Sequence, residues 1–366
     1  MGDGVRFTAL AAALGALVSA AACNGTQATP IDDTAGDAGD AEDAKTGPTH
    51  LPPPPVVEAG LPPVDGPKLL SETGLYADFA KRTLADGVLA YAPRYPLWSD
   101  GSEKKRFVLL PEGAKIQTDD MDHWLFPVGT KAWKEFWVAG KLRETRFLWK
   151  TRDVDGWWMV SYVWRDDGSD AEASIAGSPN VGGTTHDIPS QAQCRQCHVG
   201  AADFVIGLDA VQLSNGGSGF LTTLAQKGKF TVAPAHEFEV PGDEVDRAAL
   251  GYLHGNCSYC HNDHTGLHDQ SAMRLYVRST DRNVGETPIM RSVIGLKARH
   301  VIPPDVDTVV VPGLPQKSEL YYRLAARDSW VMPPLGTKVV DPAAVDVVRE
   351  WIARMPPRAA TAPPTP

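Results

Sequence analysis

Cysteine is scarce in this 366-residue chain, with five residues in all. Four cysteines in a folded region are too few to staple a large fold, so most of its stability must come from a core. Long apolar runs are also scarce. The run TALAAALGALVSAAA (residues 8–22) is too short to span a bilayer, which takes about 20 residues. A basic excess is missing as well. Lys and Arg number 35 against 45 Asp and Glu, a net charge of −10, and no basic stripe is available to meet a nucleic acid. Six of those net negative charges lie in residues 24–68. That stretch is nearly free of large apolar side chains, cannot offset its chain entropy by burial, and reads as a disordered tether. The tail 357–366 reads the same way.

What is present begins with an export signal. The run after Arg6 suits a signal h-region, and Ala20-Ala21-Ala22-Cys23 resembles a bacterial lipobox. The expectation is a signal peptide over 1–22 and a lipidated Cys23. A tether over 23–68 would then let a soluble body reach away from a membrane in the cell envelope. Ordinary cleavage, leaving Cys23 as a stray thiol, is the alternative.

Residues 69–190 read as β-rich. In KLRETRFLWK, Leu142, Glu144, Arg146 and Leu148 oppose Arg143, Thr145, Phe147 and Trp149. In WWMVSYVW, Trp158, Val160, Tyr162 and Trp164 line one face. Period-two alternation of aromatic and β-branched residues marks strands, and WSDG (98–101), DVDG (153–156) and RDDGSD (165–170) mark turns. A β-sandwich or jelly-roll is expected, with its tryptophans mostly in the core; a glycan or partner platform is the other use for them.

Two helices stand out further on. EVDRAALGYLHGN (244–256) leads into a cysteine motif, and Gly251 on it would let another helix approach closely. DPAAVDVVREWIARM (341–355) has Asp341 as N-cap and Pro342 at the first helical position, with Val345, Val348, Ile352 and Met355 on one stripe beside Trp351.

The four remaining cysteines occur as CRQCH (194–198) and CSYCH (257–261). C-x-x-C-H is the attachment signature of a c-type haem, in which two thiols form thioethers and the histidine is the proximal iron ligand. The candidate cofactor residues are therefore Cys194, Cys197 and His198, and Cys257, Cys260 and His261. Zinc is a poorer reading, since 59 residues separate Cys197 from Cys257 and zinc gives no reason for both histidines. A dithiol oxidoreductase needs one pair in a βαβ context. Disulfides within such short loops would staple little chain. Met332, followed by two prolines, resembles a distal-ligand loop for the second haem. For the first, His186, His236, His254, Met290 or no ligand at all remain open. A separate metal site at His264 and His268 is a minor possibility.

Taken with YPLWSDGSEKKRFVLLPEG (95–113), FPVGT (126–130), ETRFLWK (144–150), WWMVSYVW (157–164), IPSQAQCRQCH (188–198), GYLHGNCSYCHN (251–262), VVPGLPQKSELYYR (310–323) and MPPLG (332–336), the chain resembles a family of bacterial dihaem c-type cytochromes. The resemblance implies two covalent haem c groups and electron transfer, without a substrate. The whole is thus expected to be an α+β multidomain protein. Its parts are a β-sandwich or jelly-roll-like domain (69–190), a first haem module (191–243) and a second, mainly α, cytochrome c-like module (244–356). Expected partners are a dehydrogenase donor and a cytochrome or oxidase acceptor. The alternatives are a dihaem peroxidase- or oxidase-like enzyme, and a haem-bearing subunit whose β domain docks a glycan or partner enzyme.

Overall fold

Alternation of aromatic and charged residues builds a sheet whose two faces do different jobs. The computed structural model describes residues 66–154, 156–214, 219–265, 271–302 and 305–357. The expected signal, Cys23, the tether up to residue 65, His268 and the tail from 358 onward lie outside the described residues. A short 3-10 turn (Leu70–Thr73) precedes β1 (Tyr76–Asp78), β2 (Thr83–Leu84) and β3 (Leu89–Tyr91). Then come β4 (Glu103–Leu109), β5 (Lys131–Val138), β6 (Lys141–Lys150), β7 (Trp157–Trp164) and β8 (Ala171–Ser174). Strands β3 to β8 pair antiparallel in sequence order as one six-stranded sheet. The β5–β6 hairpin turns on Ala139 (φ 49°) and Gly140 (φ 74°), the doubly left-handed pair that a two-residue type I′ turn demands.

This sheet corrects the expectation of a sandwich or jelly-roll. No second sheet is needed, because other segments cover both faces. Phe107, Trp133, Phe147, Val160, Tyr162 and Trp164 pack on one side with Leu70, Leu75 and Val88 from the N-terminal segment. On the other, Val108 and Met159 join Trp124, Phe126 and Trp157 in a cluster completed by Val205, Leu208, Leu213, Leu221, Leu224 and Phe230. Of the eight tryptophans between Trp98 and Trp164, Trp124, Trp133, Trp157 and Trp164 are buried and the other four are half-buried.

The expected mainly α, cytochrome c-like region is not evident either. Among the described residues the helices are α1 (Gln191–His198), α2 (Ala210–Leu213), α3 (Phe220–Gln226), α4 (Glu244–Cys257), α5 (Pro288–Val293), α6 (Glu319–Ala325) and α7 (Pro342–Arg354). Five of these seven have eight residues or fewer, too short to form a helical layer alone. A β-hairpin, β9 (Lys297–Ile302) with β10 (Val306–Thr308), interrupts them. The segment after the first motif takes its core from the sheet rather than from helices of its own. Only α4 and α7 are long, and they pack together through Ala249, Leu250, Leu253, Val348, Trp351 and Ile352. The α7 reading holds: Asp341 caps it by accepting from Ala344 N at 3.2 Å, and Pro342 follows. Gly251 does permit a close approach, but to the Tyr95 ring of an extended segment, not to a helix.

Candidate functional site

The first motif sits on α1, which Ser190 and Gln193 start with a reciprocal capping box. Helical spacing puts Cys194, Cys197 and His198 on neighbouring positions of one face. The second motif continues the C-terminal end of α4, where His261 N donates to the Cys257 carbonyl at 3.0 Å. The fold brings the two motifs together. Cys260 is close enough to Cys197 to lower the Cys197 pKa to about 7, with help from the Arg146 and Lys134 charges. The backbones meet as well. Asn262 Nδ2 donates to the Gly200 carbonyl and to the Ser258 carbonyl, each at 2.7 Å. A Cβ on Gly200 would stand 2.0 Å from the Tyr259 carbonyl oxygen, so this crossing requires glycine.

All four thiols and both histidines are half-buried, yet strongly desolvated. Burial lowers His198 and His261 to about 4, and raises Cys194 to about 11 and Cys257 to about 12. Solvent touches these side chains without fully solvating them. His198 Nδ1 donates to the Phe204 carbonyl at 2.6 Å. That bond fixes the tautomer and leaves Nε2 with its lone pair, the arrangement that ligating histidines use. His261 Nδ1 is buried with no hydrogen-bond partner. Met332 is half-buried, and its N–H donates to the Arg323 carbonyl at 3.1 Å. The Arg323 guanidinium also helps to depress His261, so the Met332 loop and His261 share a neighbourhood.

The candidate distal ligands for the first motif are each engaged elsewhere. His186 is 2% exposed, with Nε2 2.8 Å from Glu144 Oε2 and its ring against Phe136. His236 is exposed, with Nδ1 2.8 Å from its neighbour's carbonyl. His254 Nδ1 accepts from Val277 N at 3.2 Å, so its proton is on Nε2, 3.5 Å from Asp209. Met290 packs into the α4–α7 core. His264 is exposed and meets His123, Nε2 to Nε2, at 3.2 Å. Among the described residues no three His, Cys, Asp or Glu side chains converge on a bare metal ion, so the four thiols do not form a zinc-type cage.

Sequence reasoning missed two features. One is a cavity of about 310 Å³ beyond the Gly200 crossing, lined by Trp124, Asp209, His254, Tyr259 and Tyr276 among others; nothing local in the sequence joins residues so far apart. The other is a row of cations on the sheet face that looks toward the motifs. Its signal was available: Lys104, Arg106, Lys134 and Arg146 share the parity opposite to the aromatic core.

Comparisons with protein-family models, curated proteins and solved structures find no match to this chain.

Proposed function

We propose that the chain binds two covalent haem c groups and relays electrons in the bacterial cell envelope, held there through Cys23. The observation that supports this most is that the two CxxCH motifs meet, Asn262 donating to the Gly200 carbonyl, with His198 Nδ1 held by the Phe204 carbonyl. The donor set fits: Cys194 and Cys197 would hold one group and Cys257 and Cys260 the other. His198 and His261 would supply nitrogen donors to the iron, and Met332 a sulfur donor beside His261. When bound, such a group supplies reversible one-electron chemistry at iron. The chain's part is positional. Phe204 orients His198, Gly200 and Asn262 lock one motif against the other, and desolvation keeps both histidines neutral at pH 7. The resemblance to dihaem c-type cytochromes leads to the same reading, with a dehydrogenase as donor and a cytochrome or oxidase as acceptor.

One observation favours a second reading. Among the described residues, His186, His236, His254 and Met290 each have other contacts, and none of these contacts is with the first motif. A five-coordinate iron there would bind a small molecule, and the protein would act as a peroxidase- or oxidase-like enzyme. Absorption and EPR spectra of the purified holoprotein, with its haem-to-protein ratio, test both. A ratio near two with both irons low-spin supports the relay, and a high-spin component that responds to peroxide supports the enzyme. A ratio near zero refutes both. Met332→Ala is expected to convert one low-spin signal to high-spin without changing the ratio.

A further inference from the structure

Arg106 on β4, Lys134 on β5 and Arg146 on β6 stand directly opposite one another across three strands. Like charges in that register repel, and Lys104 lies one pair further along on the same face. Glu144, on the same face, is fully buried and committed to Arg146, Ser161 and His186, while Asp100 and Asp341 act on Lys104 alone of these four cations. Arg106 is 7% exposed. Among the described residues, neither Arg106 nor Lys134 has a hydrogen bond or an acidic ion-pair partner; Lys134 Nζ has only the Phe136 ring, at 5.1 Å. Uncompensated charges taken out of water at this density are costly, and folded chains retain them where an anion arrives.

The direction these cations face indicates which anion. Cys194 packs against a cluster that includes Val108, Leu148 and Met159, which share the parity of this row, and Gln191 Nε2 on the same helix donates to the Met159 carbonyl at 2.9 Å; the Arg146 and Lys134 charges reach Cys197 and His198. The row therefore lies on the face that carries the first motif, to which Asn262 ties the second. Burial, together with the neighbouring cations, holds Lys134 well below its usual range and Lys104 at about 8, which an arriving anion would reverse.

We propose that the Arg106–Lys134–Arg146 row receives the propionate carboxylates of the haems, making the β-sheet the wall that neutralises and electrostatically tunes them. This rests on the haem reading above. A haem c brings two carboxylates, so two groups would bring four anionic ends to a face holding four cations and one spoken-for carboxylate. Arg can bind a carboxylate bidentately, and the central Lys serves as a point charge between two of them.

The test is Lys134→Met in the holoprotein, with Lys105→Met as control. Lys105 is exposed on the same strand as Arg106 but points to the opposite face. The readouts are haem-to-protein ratio and reduction midpoints by spectroelectrochemistry. Removing a cation beside the haem carboxylates disfavours the reduced, more negative state. The expected result is a ratio held at two and one midpoint lowered by about tenfold in the redox equilibrium, or about 59 mV for a one-electron couple, with the control unchanged. Lys134→Met removes a half-buried charge that has no acidic ion-pair partner and is expected to fold; Arg106→Gln provides the same readout should it not. A ratio of two with unmoved midpoints in both variants would overturn this inference, assigning the row to a free anion while leaving the haem reading intact. A ratio near zero in the unmodified protein would overturn both.

Discussion

Glu144→Gln is the sharpest probe of how this chain tolerates a cationic face. Glu144 is fully buried. It accepts from Arg146 Nε at 2.7 Å and Nη2 at 3.2 Å, from Ser161 Oγ at 2.8 Å, and pairs with His186 Nε2 at 2.8 Å. Burial pushes its pKa up, but Arg146 and His186 outweigh that and bring it down from 4.5 to about 2. A folded-state pKa below the unfolded one means stability that is present above pH 4.5 and lost as pH falls toward 2. The difference is worth about 3 kcal/mol at neutral pH. Gln keeps the shape and loses the charge, leaving Arg146 beside Lys134 with no anion. Breaking a buried pair in this way costs about 3–5 kcal/mol. Urea unfolding followed by circular dichroism at pH 7 should show that loss. At pH 2.5 the gap between the two proteins should narrow, since the native carboxyl is by then partly protonated. A loss under about 1 kcal/mol at pH 7, or an equal gap at both pH values, would refute the reasoning.

Gly200→Ala drives a methyl into the Tyr259 carbonyl and Thr265 Cγ2. Overpacking against backbone costs about 1–3 kcal/mol or more, and the haem-to-protein ratio should fall because the motifs no longer close on each other; a normal melting temperature and full loading would count against that crossing. In protein produced without haem attachment, mild oxidation should link Cys197 to Cys260, each thiol giving up one electron and one proton to the oxidant. Peptide mapping would find the bridge there; exclusive Cys194–Cys197 and Cys257–Cys260 bridges would contradict the thiol contact.

Much of the site was legible because its chemistry is written locally. A CxxCH pentapeptide on one helical turn needs no tertiary information, and alternation in KLRETRFLWK and WWMVSYVW assigns faces without knowing what covers them. The architecture was less legible, because coverage is not local. A strand pattern with two buried faces suggests a second sheet. Here residues 70–88 cover one face and residues 205–230 the other, through contacts as distant in sequence as Trp157 with Asp203. The helices misled for a related reason. Asp243 and Asp341 announce real helix starts, yet two capped helices do not make a helical domain when the chain between them is mostly short turns and a hairpin. The cation row shows the limit most clearly. Each Lys and Arg read alone is an ordinary solvated residue on a strand, and only the register of three strands places them side by side. Their repulsion is then a local conflict the fold does not resolve by itself, and such conflicts concentrate where a chain is built around something it must bind.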